Sequence, residues 1–201
     1  MVAFWEHGFG DTSIDALTLA TGVQRSSLYN TFQSKRELYL SSLRRYHGRM
    51  SERFALIASS SDPIAAVRSF VCSVVTEEAE DGVGFGCMIA NAALEFGGRD
   101  DEVRDLTNYN LTVLADAIAA AVRRGQTLGD VDAAVDPKTF AQTVVVLIQG
   151  LRVTARAIVP EDREPWLRAA VDSGLAALAP RKTSPTMNIH LPAVDTRSED
   201  E

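Results

Sequence analysis

Apolar residues recur along this chain at intervals of three and four and rarely alternate with polar ones at period two, so the pattern predicts an all-α fold. Residues 11–32 divide into two short helical segments around Gly22. Ile14, Leu17 and Ala20 face inward on the first, Val23, Leu28 and Phe32 pack the second against it, and the spacing is that of a helix-turn-helix. Thr12 with Asp15 three residues on reads as a capping box. Ser34-Lys-Arg-Glu37 reads as another, opening a helix that carries Leu38, Leu43 and Tyr46 toward residue 58. Asp62-Pro63 then caps and starts a helix through about Glu80, striped by Ile64, Val67, Val71, Val74 and Val75 and ended by Asp81-Gly82 and Gly84. Helices over 85–96 and 100–124 follow, with Gly125 closing the second. After Asp136-Pro137, the stretch from Phe140 to Ile158 is apolar on most sides and so needs a second partner. The last two helices, near 136–159 and 163–178, are therefore expected to form a four-helix interface with their copies in a homodimer, where Gly150 and Gly174 permit close approach.

Composition narrows the class. The chain has 201 residues, 46% hydrophobic and 23% charged, enough to bury a core in one large domain or two small ones. Its net charge of −7 argues against a surface that grips nucleic acid everywhere. Residues 1–45, however, hold five basic side chains against four acidic ones, a balance of +1 that leaves −8 for the remainder. That asymmetry suits a small DNA-reading segment on an acidic body. Two cysteines are too few for a disulfide scaffold and lack the paired spacing of a zinc site, which points to a reducing cytoplasm. No run of 18 apolar residues and no secretory pattern occurs, so no membrane partner is expected. His7, His47 and His190 are scattered, and there is neither a phosphate-cradling glycine loop nor a nucleophile motif, so no metal, cofactor or enzymatic activity is expected.

The run Phe4-Trp-Glu-His-Gly8-Phe-Gly-Asp-Thr12-Ser-Ile-Asp-Ala-Leu, then Thr21-Gly22-Val23 and Ser26-Ser-Leu28-Tyr29-Asn-Thr-Phe32-Gln-Ser-Lys35-Arg-Glu-Leu38, resembles the TetR family of bacterial transcriptional regulators. The resemblance covers about the first 45 residues by motif and the remainder by helix count and length. It implies a helix-turn-helix DNA-binding domain over 1–45, a helical effector-binding and dimerisation domain over 46–180, and, from the polar, proline-bearing composition, a disordered tail over 181–201. It also implies that residues 24–30 form the recognition helix in the major groove. Arg25, Ser26, Ser27 and Asn30 are then the base-edge candidates, since arginine addresses guanine and asparagine adenine. Tyr29 and Lys35 are phosphate candidates, with the helix start at Thr12 or Ser13 suited to the same task. Two departures stand out. The family's first helix usually begins well before the position matched by Met1, implying a start upstream or a domain short of apolar contacts worth about 1.5–3 kcal/mol per large side chain. Gln24 replaces the small hydroxyl residue that usually caps the recognition helix, so that helix start should be weakly held.

In the sensing half, Cys87, Asn91 and Glu95 fall four residues apart and make a polar stripe on one helix face. The stripe is a candidate lining for an effector cavity, with Phe70, Met88, Tyr109, Gln149, Arg152 and Trp166 supplying shape and anchors. The same residues also fit a different role, in which Asn91 and Glu95 tie helices together while Cys87 is a small buried hydrophobe. Some TetR relatives sense electrophiles or oxidants through a thiol in a similar Gly-Cys segment, which makes Cys87 a candidate switch. The reading is a dimeric repressor, released from a pseudo-palindromic operator by a small-molecule effector. Its competitor is a helical ligand-binding or thiol-sensing protein with impaired DNA binding.

Overall fold

A computed structural model of the chain describes residues 1–79 and 85–178. The expected tail over 181–201 and the turn at Asp81-Gly82 and Gly84 lie outside them. The described residues form α-helices and one short 3-10 turn, with no strand: α1 Val2–His7, α2 Ile14–Thr21, α3 Arg25–Phe32, α4 Lys35–Ser59, α5 Pro63–Ala79, α6 Met88–Phe96, α7 Asp101–Leu128, α8 Pro137–Ala157 and α9 Pro160–Gly174. The long α4 runs unbroken through the expected domain boundary at 45/46.

Local chemistry sets the helix starts. Ser34 Oγ accepts from the amide of Glu37, and Asp136 accepts from that of Thr139 ahead of Pro137. At α2 the cap is Ser13, whose hydroxyl accepts from Ala16, and not Thr12. Thr12 is fully buried and donates instead to the carbonyls of Gly8 and Ala3, bracing α1 against the start of α2. Gly22, with φ of 68°, ends α2 in the left-handed region the turn requires. Gln24 makes no side-chain capping bond at α3, as its residue type predicts.

Two further expectations are corrected. Gly125 does not end its helix, because α7 continues to Leu128 and closes on Gly129. A side chain at Gly125 would sit 2.8 Å from both Ile64 Cδ1 and Val131 Cγ2, so the glycine admits a close neighbour rather than a turn. The last helix begins at Pro160, not 163, and passes into a 3-10 turn at Ala176. Gly174 serves a close approach within the chain rather than between copies, since its Cβ would meet Leu147 Cδ2 at 2.5 Å.

The core has two parts. Val67, Val71, Val74, Ile118, Val144, Ile148, Leu167 and Leu175 fill the interior of α5, α7, α8 and α9. Phe4, Leu17, Leu28, Tyr39, Leu40 and Leu43 pack the first three helices onto α4, and this cluster continues through Tyr46 into Met88, Ile89 and Ala92 of α6 and Val103 of α7. The helix-turn-helix thus shares its core with the body. On α2, Leu17 is buried and Ile14 is half-buried against the same cluster, on α3 Leu28 is buried and Phe32 half-buried, and of the expected inward residues Ala20 and Val23 are exposed.

α4 and α7 are also joined by His47, whose Nδ1 lies 2.8 Å from Asn110 Nδ2 and whose Nε2 lies 3.0 Å from Ser51 Oγ, with the ring against Tyr109. Burial lowers the His47 pKa below its ordinary value, because the folded site prefers the neutral ring. The unfolded chain therefore binds the proton more readily, and the stability this site contributes above about pH 6.5 is lost as pH falls below that value. Thermal melts from pH 7.5 to 5.5 should show a falling midpoint whose slope lessens in His47→Gln. An unchanged slope would remove His47 from the account.

Candidate nucleic-acid interface and sensing cavity

The recognition segment is short and turned outward. In α3, Leu28 is the one buried residue, at 6% exposure, and it anchors the helix to the core. Arg25, Ser26, Ser27, Tyr29 and Asn30 are all exposed. One short helix and one anchor therefore present five of the expected contact residues together. Arg25 forms an exposed ion pair with Asp15 at 3.7 Å, an interaction worth little in water and readily exchanged for another anion or a base edge.

Of the remaining candidates, Ser13 is exposed at the start of α2 beside its free amides, whereas burial removes the Thr12 side chain from this surface. Lys35 is partly engaged within the chain, its ammonium 4.4 Å above the Phe9 ring and 3.4 Å from the Gly10 carbonyl. That places its charge on the turn leading into Ser13.

Charged groups missed by the sequence reading fix this unit on the body. Arg36 bonds Asp100 through two contacts of 2.8 Å and Glu102 through two of 3.3 Å, and Arg44 also pairs with Glu102. Hydrogen bonds from Arg36 hold the Asp100 carboxyl down at about 2, while the same carboxylate caps α7 by accepting from Glu102 and Val103. No short-range signal links residue 36 to residue 100. The basic side chains of the first segment are thus partly spent on the acidic body.

Glu95 moves from the expected effector lining to this junction. Its carboxylate accepts from the amides of Phe9 at 2.8 Å and Gly10 at 2.6 Å, so the last turn of α6 grips the connection between α1 and α2. Asn91 donates to the Phe85 carbonyl at 2.8 Å, a bond to the segment that leads into its own helix rather than to another helix.

The expected effector residues do not converge on one cavity. Tyr109 and Trp166 are 58% and 64% exposed on the outer surface. Met88 is sealed in the core. Phe70 lines a separate recess with Arg53, Ile57 and Ser73. Cys87, Asn91, Gln149 and Arg152 do assemble, around a cavity of about 340 Å³ between α6 and α8. Beside it, α4, the end of α5 and the segment at Phe85-Gly86 enclose a larger one of about 460 Å³, walled by Trp5, Tyr46, Phe85, Glu77 and Glu78. Burial pushes the Glu78 carboxyl up from its ordinary range, with Arg152 opposing the shift. Cys87 is 6% exposed with its sulfur 3.8 Å from the Tyr46 hydroxyl, so the thiol-switch reading lacks the accessible sulfur it needs. Among the described residues, no group of three or more His, Cys, Asp or Glu side chains is placed to hold a metal, and no helix is long and apolar enough to cross a membrane.

A helix-turn-helix with an outward second helix, packed on a helical body, is the architecture of a DNA-binding transcription regulator. Comparison with known proteins names the family. Residues 1–41 match the profile described as "Bacterial regulatory proteins, tetR family", and residues 63–174 match "Tetracyclin repressor-like, C-terminal domain". The chain belongs to the TetR family, whose members regulate transcription by binding DNA. It is 25% identical over 154 residues to the transcriptional regulator AcuR of Cereibacter sphaeroides, covering 75% of this chain and 70% of that one. It is 22% identical over 158 residues to the HTH-type transcriptional repressor ComR of Escherichia coli, covering 78% and 75%. A solved structure of a cysteine mutant of the TetR-family regulator CifR, complexed with 26 bp of double-strand operator DNA, superposes with a TM-score of 0.72 at 25% identity, covering 85% of this chain and 91% of that one.

Proposed function

We propose that two copies of this chain form a twofold dimer that grips a pseudo-palindromic operator and represses transcription until a small molecule releases it. The observation that carries this reading is the outward face of α3, where Leu28 is the sole buried residue and the arginine, serines, tyrosine and asparagine stand free of the core. Arg25, Ser26, Ser27 and Asn30 read base edges, while Tyr29, Lys35 and the α2 start at Ser13 meet phosphates. In such a dimer the two recognition helices sit about 34–36 Å apart, one turn of duplex, or a multiple of it.

The dimer reading is supported by the surfaces of α8 and α9. Val146 and Val153 are 72% and 63% exposed, and with Gly150 and Ala157 they form one helical stripe. Trp166, Ala170 and Ser173 form another on α9. A second copy of the same two helices covers both. Release follows if the effector binds more tightly to a conformation with a different helix separation, since a ligand shifts an equilibrium only by its difference in affinity for the two states. The relative ComR is a transcriptional repressor, which supports the sign of regulation.

Sequencing of duplex fragments selected by the purified protein tests the reading. A pseudo-palindrome should be enriched by the native chain, and Arg25→Ala should lose discrimination at one position of each half-site, a change of about 1–3 kcal/mol. Identical enrichment in the variant would refute the role of Arg25, and no enrichment by the native chain would sink the reading.

A further inference from the structure

We infer that the cavity between α6 and α8 binds a small organic acid that carries a hydroxyl or N–H donor next to its carboxylate. This names the chemical class of effector and rests on the effector-release reading above. Two buried polar atoms without hydrogen-bond partners point to it. Arg152 is 8% exposed overall, and its Nε is buried with no hydrogen-bond acceptor. One turn earlier on α8, Gln149 Oε1 is buried with no donor. Both residues line the same cavity of about 340 Å³.

A buried guanidinium is stable only when its charge is answered; Glu77, Glu78 and the Tyr46 hydroxyl answer the Arg152 charge, and what is left unmet is the hydrogen bond of its Nε. Glu77 Oε2 and Glu78 Oε1 stand 3.8 and 3.9 Å from Arg152 nitrogens, beyond hydrogen-bond reach. Those carboxylates face the larger neighbouring cavity. Among the described residues, those that line the smaller one include no carboxylate. An oxyanion entering there gains charge-assisted hydrogen bonds from a cation that is already desolvated. Gln149 Oε1 then asks for a donor one helical turn from the guanidinium, which a hydroxyl or N–H adjacent to the acid supplies. Ala90, Leu94, Val153 and Ala157 complete the walls and suit a compact apolar body. Val153 and Ala157 also belong to the stripe assigned to the partner copy, so pairing narrows the mouth of the cavity.

The test is calorimetric titration of the DNA-free protein with 2-hydroxybenzoate, against neutral 2-hydroxybenzamide and cationic 2-(aminomethyl)phenol of nearly the same shape. The acid should bind at least about tenfold more tightly than either control. Arg152→Gln should erase that preference without weakening the amide. If that variant fails to fold, Gln149→Leu, which keeps the guanidinium, carries the test by removing the preference for 2-hydroxybenzoate over benzoate. Equal or tighter binding of the amide or the amine, no binding of the acid, or an acid preference that survives in both variants overturns the proposal. Acid binding by a protein that enriches no operator upholds this site and sinks only the regulatory reading.

Discussion

Val146→Glu combined with Val153→Glu is expected to yield a folded monomer whose operator affinity falls by about a hundredfold or more. Both side chains lie largely in solvent on α8, so the change leaves the core formed by Val144, Ile148 and Leu151 intact. In a twofold dimer the same substitutions bring four carboxylates together in an apolar interface, where desolvation and like-charge repulsion both oppose pairing. A monomer engages one half-site and forfeits the second, whose capture is intramolecular for the dimer. That lost effective concentration, more than any altered contact, sets the size of the drop. Analytical ultracentrifugation should show the mass halved while the far-ultraviolet spectrum is unchanged. A double variant that stays dimeric would show that another surface joins the copies, and a monomer with native operator affinity would remove the need for pairing.

What the sequence disclosed and what it hid divide by the range of the interaction. Ser34, Gly22 and Asp136 act within their own turn, and their roles were legible because capping and left-handed turns have local residue preferences. The exposed set on α3 was legible because Leu28 alone carries the inward face and the family pattern marks the rest. Thr12 was misread by one residue. Thr12 and Ser13 both carry hydroxyls, and only the approach of α1 decides which is buried against Gly8 and which caps α2. Gly125 looked like a stop because a glycine next to a polar run usually is one, yet it is set by the nearness of Ile64 and Val131 across the core. The cavity residues were named as a set, but periodicity gives only the direction of a side chain on its own helix. It could not tell that Tyr109 would turn toward His47, or that Glu95 would reach across 85 and 86 residues to Gly10 and Phe9.

Glu95→Ala is expected to weaken operator binding by about ten- to a hundredfold while lowering overall stability only modestly. The carboxylate satisfies two successive amides at the turn between α1 and α2, and hydrogen bonds to a charged partner contribute about 1.5–3 kcal/mol when shielded from water. The Phe9 amide is partly buried and the Gly10 amide exposed, so the stability loss falls toward the lower end. Position suffers more than stability. Gly8 adopts φ of 76° directly under this carboxylate, and a Cβ there would lie 3.0 Å from Glu95 Oε2, so the backbone is shaped around the contact. Three residues beyond Gly10 stands Ser13, the start of the helix assigned to phosphate contact, and α3 packs on that helix. Without Glu95 the reading unit keeps its Phe9, Tyr39 and Phe96 contacts but loses the two bonds that fix the turn to α6. Glu95→Gln retains one acceptor and sets an NH2 against the other amide, so it should recover part of the affinity, which a generic packing defect would not predict. Amide hydrogen exchange at Phe9 and Gly10, read beside operator titrations, decides the matter. Faster exchange with unchanged operator affinity would show that the clamp holds the fold without positioning the reading helix.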